Sequence, residues 1–131
     1  MTAQPLPVQL SGTTLRFKGD GRRLGYPTAN LAISTDLEDG VYFGFANMST
    51  YMDQPALIFV GSAVTTGDLR RRVEAHLLDI ADHNYYELEL DLDIRHFHRT
   101  NKKFASLAEL TKAMQADEAA ARDWFKTHTL A

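Results

Sequence analysis

The chain has 131 residues, of which 44% are hydrophobic and 24% charged, and it contains no cysteine. This length suits one domain with one core, and the lack of cysteine excludes disulfide staples, thiol nucleophiles, Cys-ligated zinc and iron–sulfur clusters. Lys and Arg number 14 against 17 Asp and Glu, a net charge of −3, which argues against binding a long phosphate backbone and leaves room for a single nucleotide or a small polar ligand.

The expectation is a single domain over residues 1–131, with its folded core at about 8–127. No apolar run approaches membrane-spanning length. The start, Met1-Thr2-Ala3-Gln4-Pro5, has neither a basic stretch nor an apolar stretch after it. A cytoplasmic monomer with no nucleic-acid or membrane partner is expected.

In chain order, Val8, Leu10, Leu15 and Phe17 give a weak strand signal across residues 7–18. Residues 19–27, Gly-Asp-Gly-Arg-Arg-Leu-Gly-Tyr-Pro, read as a loop because three glycines and a proline punctuate them. Gly40 introduces a strand, Val41 to Met48, whose continuous apolarity predicts burial on both faces or one face turned to a ligand. A short strand is predicted over Ala56 to Val60, bounded by Pro55 and Gly61. From Val73 the sequence alternates, with Val73, Ala75 and Leu77 on one face and Glu74, His76 and Leu78 on the other. After a turn at Asp82-His83-Asn84, Leu88 to Arg95 alternates again, leucines inward and acids outward. The period then changes. Ser106 and Glu109 form a capping box, and Leu107, Leu110, Met114, Ala121, Trp124 and Phe125 follow a helical stripe. Short strands followed by one terminal helix predict a small barrel or curled sheet covered by that helix.

Two clusters carry candidate chemistry. In the first, the glycines from Gly19 to Gly25 allow close backbone approach to phosphate, Arg22 and Arg23 add charged donors, and Thr28 and Asn30 are hard oxygen ligands suited to Mg²⁺. No G-x-x-x-x-G-K-[ST] motif is present, and on composition alone a plain turn is the better reading of this loop. The second candidate is Glu74, which on the inner face of a barrel can take a proton from an alcohol. Its other reading is an outward glutamate paired with Arg70 or Arg72. His96 and His98 share a strand face, but no third ligand has fitting spacing, so no zinc site is expected there. The aromatics Tyr42, Phe43, Phe45, Tyr51, Phe59, Tyr85 and Tyr86 suit either a flat ligand ring or sheet core.

The stretch Gly21-Arg22-Arg23-Leu24-Gly25-Tyr26-Pro27-Thr28-Ala29-Asn30 resembles the marker of the riboflavin kinase family, a glycine/arginine loop ending in L-G-[FYI]-P-T-A-N. The resemblance continues in order through Gly40 to Ala46, through Val73-Glu74-Ala75-His76-Leu77-Leu78-Asp79, and through Arg99, Lys103 to Leu107, Leu110, Asp117 and Ala121. It implies a mainly β fold, a six-stranded antiparallel Greek-key barrel with a C-terminal helix. It also implies transfer of the γ-phosphoryl of ATP to the ribityl 5′-hydroxyl of riboflavin, giving FMN. On that resemblance Glu74 is the catalytic base, and Thr28 and Asn30 hold Mg²⁺ (or Zn²⁺ or Mn²⁺) and phosphate. Gly19, Gly21, Arg22 and Gly25 flank the nucleotide, and Tyr85 and Arg99 are candidates for flavin contact. The family's adenylyltransferase domain has no counterpart here, so the expectation is a kinase that stops at FMN.

The chain departs from the family pattern at Phe17, at Ser62-Ala63-Val64-Thr65, at Tyr86 and at Asn101. These departures carry the competing expectations: a non-catalytic flavin- or nucleotide-binding barrel, a kinase for a different alcohol, or a structural protein.

Overall fold

A computed structural model describes residues 5–15, 28–31, 35–48, 51–63, 68–80 and 88–128. The glycine/arginine loop with Phe17, the turn at Asp82-His83-Asn84, Tyr85, Tyr86, and Val64 and Thr65 lie outside the described residues. Among the described residues, six strands, β1 (Val8–Thr13), β2 (Ala29–Leu31), β3 (Gly40–Met48), β4 (Tyr51–Ala63), β5 (Asp68–Leu77) and β6 (Glu89–Thr100), precede one helix, α1 (Leu107–Phe125). They pair antiparallel throughout in the order β1-β6-β3-β4-β5-β2. β3, β4 and β5 form a meander and β6 returns beside β3, which is the Greek-key arrangement. The sheet curls into a half-barrel. Its two edges meet where Leu15 bridges Asn30 and donates its N–H to the Asn30 carbonyl at 2.8 Å.

Alternation decides which side chains enter the barrel. On β6, Leu90, Leu92 and Ile94 are buried, whereas Glu89 and Asp91 are exposed. β3 is buried on both faces because two cores share it. Tyr42, Ala46 and Met48 join the barrel interior, while Phe43 and Phe45 pack outward with Leu78, Ala121 and Phe125 beneath α1.

Several boundaries differ from the sequence expectation: β5 begins at Asp68 rather than Val73, and β6 runs on to Thr100 rather than ending at Arg95. β1 ends at Thr13, Leu15 then bridges Asn30, and residues 16–18 lie outside the described residues. β4 runs from Tyr51 to Ala63 and takes in both Pro55 and Gly61, the residues expected to bound it. A strand residue's N–H and C=O point the same way, and the Pro55 carbonyl accepts from Leu78 N at 2.9 Å. The donor that proline lacks therefore faces Leu78, just past the end of β5, and not β3. The Leu78 carbonyl is satisfied instead by Gln54 Nε2 at 2.6 Å. On the helix, Leu107 is 45% exposed and does not extend the buried stripe.

α1 begins as expected. The Ser106 hydroxyl accepts from Glu109 N at 3.2 Å, and the Glu109 carboxylate reaches back to Ala105 N at 3.1 Å. The helix is fastened at several points along its length. Arg99 on β6 grips the buried Asp117 through Nε and a terminal nitrogen, both at 2.8 Å, and His98 Nε2 lies 3.3 Å from the same carboxylate. Arg122 makes a two-pronged pair with Asp79 and bonds Glu118. Trp124 stacks with His96 and with His128, and Phe43 stacks with His96 and with His98.

Two outcomes check this packing. A Cβ at Gly44 would run into the Asp93 carbonyl oxygen and stand 3.0 Å from both Ile58 Cδ1 and Ile94 Cα. Gly44→Ala should therefore lose about 3 kcal/mol, read as a fall of roughly 10 °C in Tm. Burial, and then the nearby His98 and His128, hold the His96 pKa below its ordinary 6.5. The folded protein thus takes up a proton at His96 less readily than the unfolded chain. This contribution to stability is complete above pH 6.5 and is lost as pH falls below it. Urea midpoints measured from pH 8 to pH 5 should decline less steeply for His96→Gln than for the parent.

Candidate active site

The shortest strand carries the most informative side chain. β2 has three residues, and two of them, Ala29 and Leu31, point into the barrel and are fully buried. Asn30, between them, points to the outer face, where β5 places Glu74 directly opposite. The Asn30 carbonyl faces Leu15, so on the β5 side Asn30 and Glu74 form the non-hydrogen-bonded kind of antiparallel pair. Such pairs bring Cα atoms to about 4.5 Å and hold side chains closest together.

Of the two sequence readings of Glu74, the outward one holds and the inner-face one does not. Val73, Ala75 and Leu77 take the interior, so Glu74 and His76 project from the outer face. That face is nevertheless sheltered here, with Asn30 6% exposed and the Glu74 side chain 18%. Arg72 Nε stands 3.4 Å from Glu74 Oε1, so the outward pairing with Arg72 is present, while the Arg70 side chain lies outside the described residues. Across β4, Phe59 lies opposite Glu74 and provides a half-buried aromatic neighbour on the same face rather than barrel filling.

Asn30 also passes a test of fit for a cation. Its Nδ2 donates to the Thr28 carbonyl at 3.3 Å, which leaves Oδ1 as the presented atom, and that oxygen is buried with no hydrogen-bond partner among the described residues. An unsatisfied buried acceptor is unfavourable by about 1–3 kcal/mol. A hard divalent cation satisfies such an oxygen, and a carboxylate beside it adds negative potential. Thr28 is half-buried just ahead of β2, in step with Asn30.

The other site candidates divide. Gly19, Gly21, Arg22, Gly25 and Tyr85 lie outside the described residues. Arg99 is on β6, held by Asp117, with its guanidinium 5.6 Å from the centroid of Phe104. Sequence reasoning passes over Asp117 as a structural anion, although its signal is present: it is a carboxylate on the same helical face as Ala121. It also misses that the last residue of the run Arg70-Arg71-Arg72 is buried.

A family model for riboflavin kinase matches residues 4–125. The bifunctional riboflavin kinase/FMN adenylyltransferase of Escherichia coli is 31% identical over 121 residues, covering 91% of this chain and 38% of the relative. The riboflavin kinase of Homo sapiens is 27% identical over 119 residues, covering 86% of this chain and 77% of the relative. The chain thus spans well under half of the bacterial relative's length. Among solved structures, riboflavin kinase from Trypanosoma brucei superposes with a TM-score of 0.69 at 19% identity, over 91% of this chain and 80% of that one, which is a likeness of fold. A match spanning nearly all of the described strands and α1, together with that shared barrel, establishes the relationship: the chain belongs to the riboflavin kinase family.

Proposed function

We propose that this chain phosphorylates riboflavin, transferring the γ-phosphoryl of ATP to the ribityl 5′-hydroxyl to give FMN and ADP. The observation that carries this reading is the pairing of Asn30 with Glu74 across the β2–β5 seam, an orphaned amide oxygen beside a sheltered carboxylate. Riboflavin kinases in general use ATP and a divalent metal ion. Here Asn30 Oδ1 and Thr28 would hold that ion, with Mg²⁺ favoured and Zn²⁺ or Mn²⁺ as alternatives. When bound it neutralises charge on the phosphate oxygens.

Glu74 takes the proton of the 5′-hydroxyl as the alcohol oxygen bonds to the γ-phosphorus and the bond to the ADP oxygen breaks. Phosphoryl transfer passes through a loose transition state, so placing the alcohol in line matters more than the strength of the base. Phe59 keeps an apolar surface beside the carboxylate, which limits water at the reacting hydroxyl. Gly19, Gly21, Arg22 and Gly25 belong to the proposal as the cradle for the nucleotide. Tyr85 and Arg99 belong to it as flavin contacts, with Arg99 offering a planar cation already held in place by Asp117. No helix among the described residues is long and apolar enough to cross a membrane. A monomer acting in the cytoplasm completes the proposal.

Purified protein incubated with riboflavin, ATP and Mg²⁺ should yield FMN, resolved from riboflavin by chromatography. Riboflavin bound without turnover would identify a non-catalytic flavin-binding barrel, and ATP turnover with another alcohol would identify a different kinase. Glu74→Gln should lower kcat by about 10²- to 10⁴-fold with far less change in riboflavin affinity. Near-normal turnover in that variant removes Glu74 from the role of base. Asn30→Ala should raise the Mg²⁺ concentration needed for half-maximal rate by about tenfold or more, and an unchanged metal dependence removes Asn30 from the site.

A further inference from the structure

We propose that Arg72 is a positioning residue for Glu74, fixing where the carboxylate stands beside Asn30. The inference rests on the reading of Glu74 as the base and adds a residue to that site. Arg72 precedes Glu74 by two positions on β5, so the two side chains leave the same face of the sheet about 6.7 Å apart. Arg72 Nε nevertheless lies 3.4 Å from Glu74 Oε1, an ion-pair contact and not a hydrogen bond. The arginine stem therefore runs along the strand towards the glutamate rather than out to solvent.

Burial separates Arg72 from its neighbour. Arg71 has a side chain 40% exposed and ties down the segment ahead of β3 through Asp39, Thr35 and Leu37. Arg72 is 2% exposed. Arginine is almost never fully buried unless it is paired. Gly61, its register partner on β4, carries no side chain, and the space a Cβ would take there is lined by Asn101 and Asp39. The basic run thus resolves into a loop tie and a buried cation set against the proposed base.

The chemistry needs this more than it needs a strong base. A free glutamate turns about three side-chain bonds, and only some of the resulting positions reach the alcohol. A buried cation beside it favours the positions that keep a carboxylate oxygen near the guanidinium. In a loose transfer the proton leaves late, so placement of the base matters more than its strength. Lysine carries a compact charge at the end of a flexible stem and does not reproduce the planar, delocalised cation of arginine.

The test measures steady-state FMN formation by Arg72→Met, Arg72→Lys and Arg72→Ala, with folding checked by circular dichroism and Tm. We expect Arg72→Met to lose roughly 10- to 100-fold in kcat while KM for ATP and for riboflavin stays within about twofold, and Arg72→Lys to recover part of the loss. Added guanidinium ion at millimolar levels should raise the kcat of Arg72→Ala. In a Glu74→Gln background Arg72→Met should cause no further loss. If Arg72→Met does not fold, a kcat loss at unchanged KM in Arg72→Lys supports the proposal in its place. The proposal is overturned if kcat is unchanged, if KM for ATP rises at constant kcat (which would make Arg72 a phosphate ligand), or if the losses from Arg72→Met and Glu74→Gln multiply. Full turnover in Glu74→Gln, or no FMN from the parent protein, instead overturns the reading of Glu74 as the base, and the role of Arg72 with it.

Discussion

Asn30 sits where two demands meet. Its backbone carbonyl receives the bridge that draws the β1 edge of the sheet to β2, and its side chain leaves a buried oxygen without a donor among the described residues. A three-residue strand can satisfy both only because its neighbours divide the labour: Ala29 and Leu31 anchor the strand inside the barrel, so Asn30 is held without being needed as core. Strand register then does the rest. Because β2 pairs with β5 at Asn30 and Glu74, the fold places two polar groups together that share no local sequence signal. Moving that register by one residue would send Asn30 into the barrel and Ala29 out of it. The geometry of the site and the closure of the barrel are therefore the same constraint.

Much of the scaffold was legible in the sequence, and the reasons are local. β6 alternates cleanly because only one of its faces meets the barrel interior over Leu90 to Ile94. α1 announces itself through Ser106 and Glu109, three residues apart, with Ser106 capping Glu109 N and the Glu109 carboxylate capping Ala105 N. The doubly apolar β3 reads correctly as buried on both sides. β4 reads too short because proline is a sound strand-breaker unless its missing donor faces the end of a ladder, and neither that nor the help from Gln54 is written in the neighbouring residues. Leu107 matches the helical period but sits in the first turn, beyond the reach of the sheet.

The site was legible in its parts and not in its arrangement. Composition favours a plain turn at the glycine loop, and only the resemblance to riboflavin kinases lifts Thr28, Asn30 and Glu74 above it. Alternation correctly puts Glu74 and His76 on one face but does not say which face is inside, since Leu78 shares their parity and is itself buried under α1. Which residue stands across from which is decided by pairing between segments far apart in the chain, and no local pattern encodes it. Arg72 is hidden for a related reason: in sequence it is one of three adjacent arginines, and burial alone distinguishes it.

The two apolar clusters draw on opposite faces of β3 and β4 but have no residue in common. The barrel interior is built wholly from strands and the segments joining them, while Phe43, Phe45 and Leu78 wait on the outer face for Ala121 and Phe125. Such a division gives the molecule two tiers of opening, in which α1 lifts from its ion pairs and ring stacks without the barrel losing any of its own packing. Backbone amides in the helix would then trade hydrogen for deuterium through partial openings, well before those of β3 and β6. The Asn30–Glu74 seam lies on the barrel tier, so this pair is insulated from the motion of the helix.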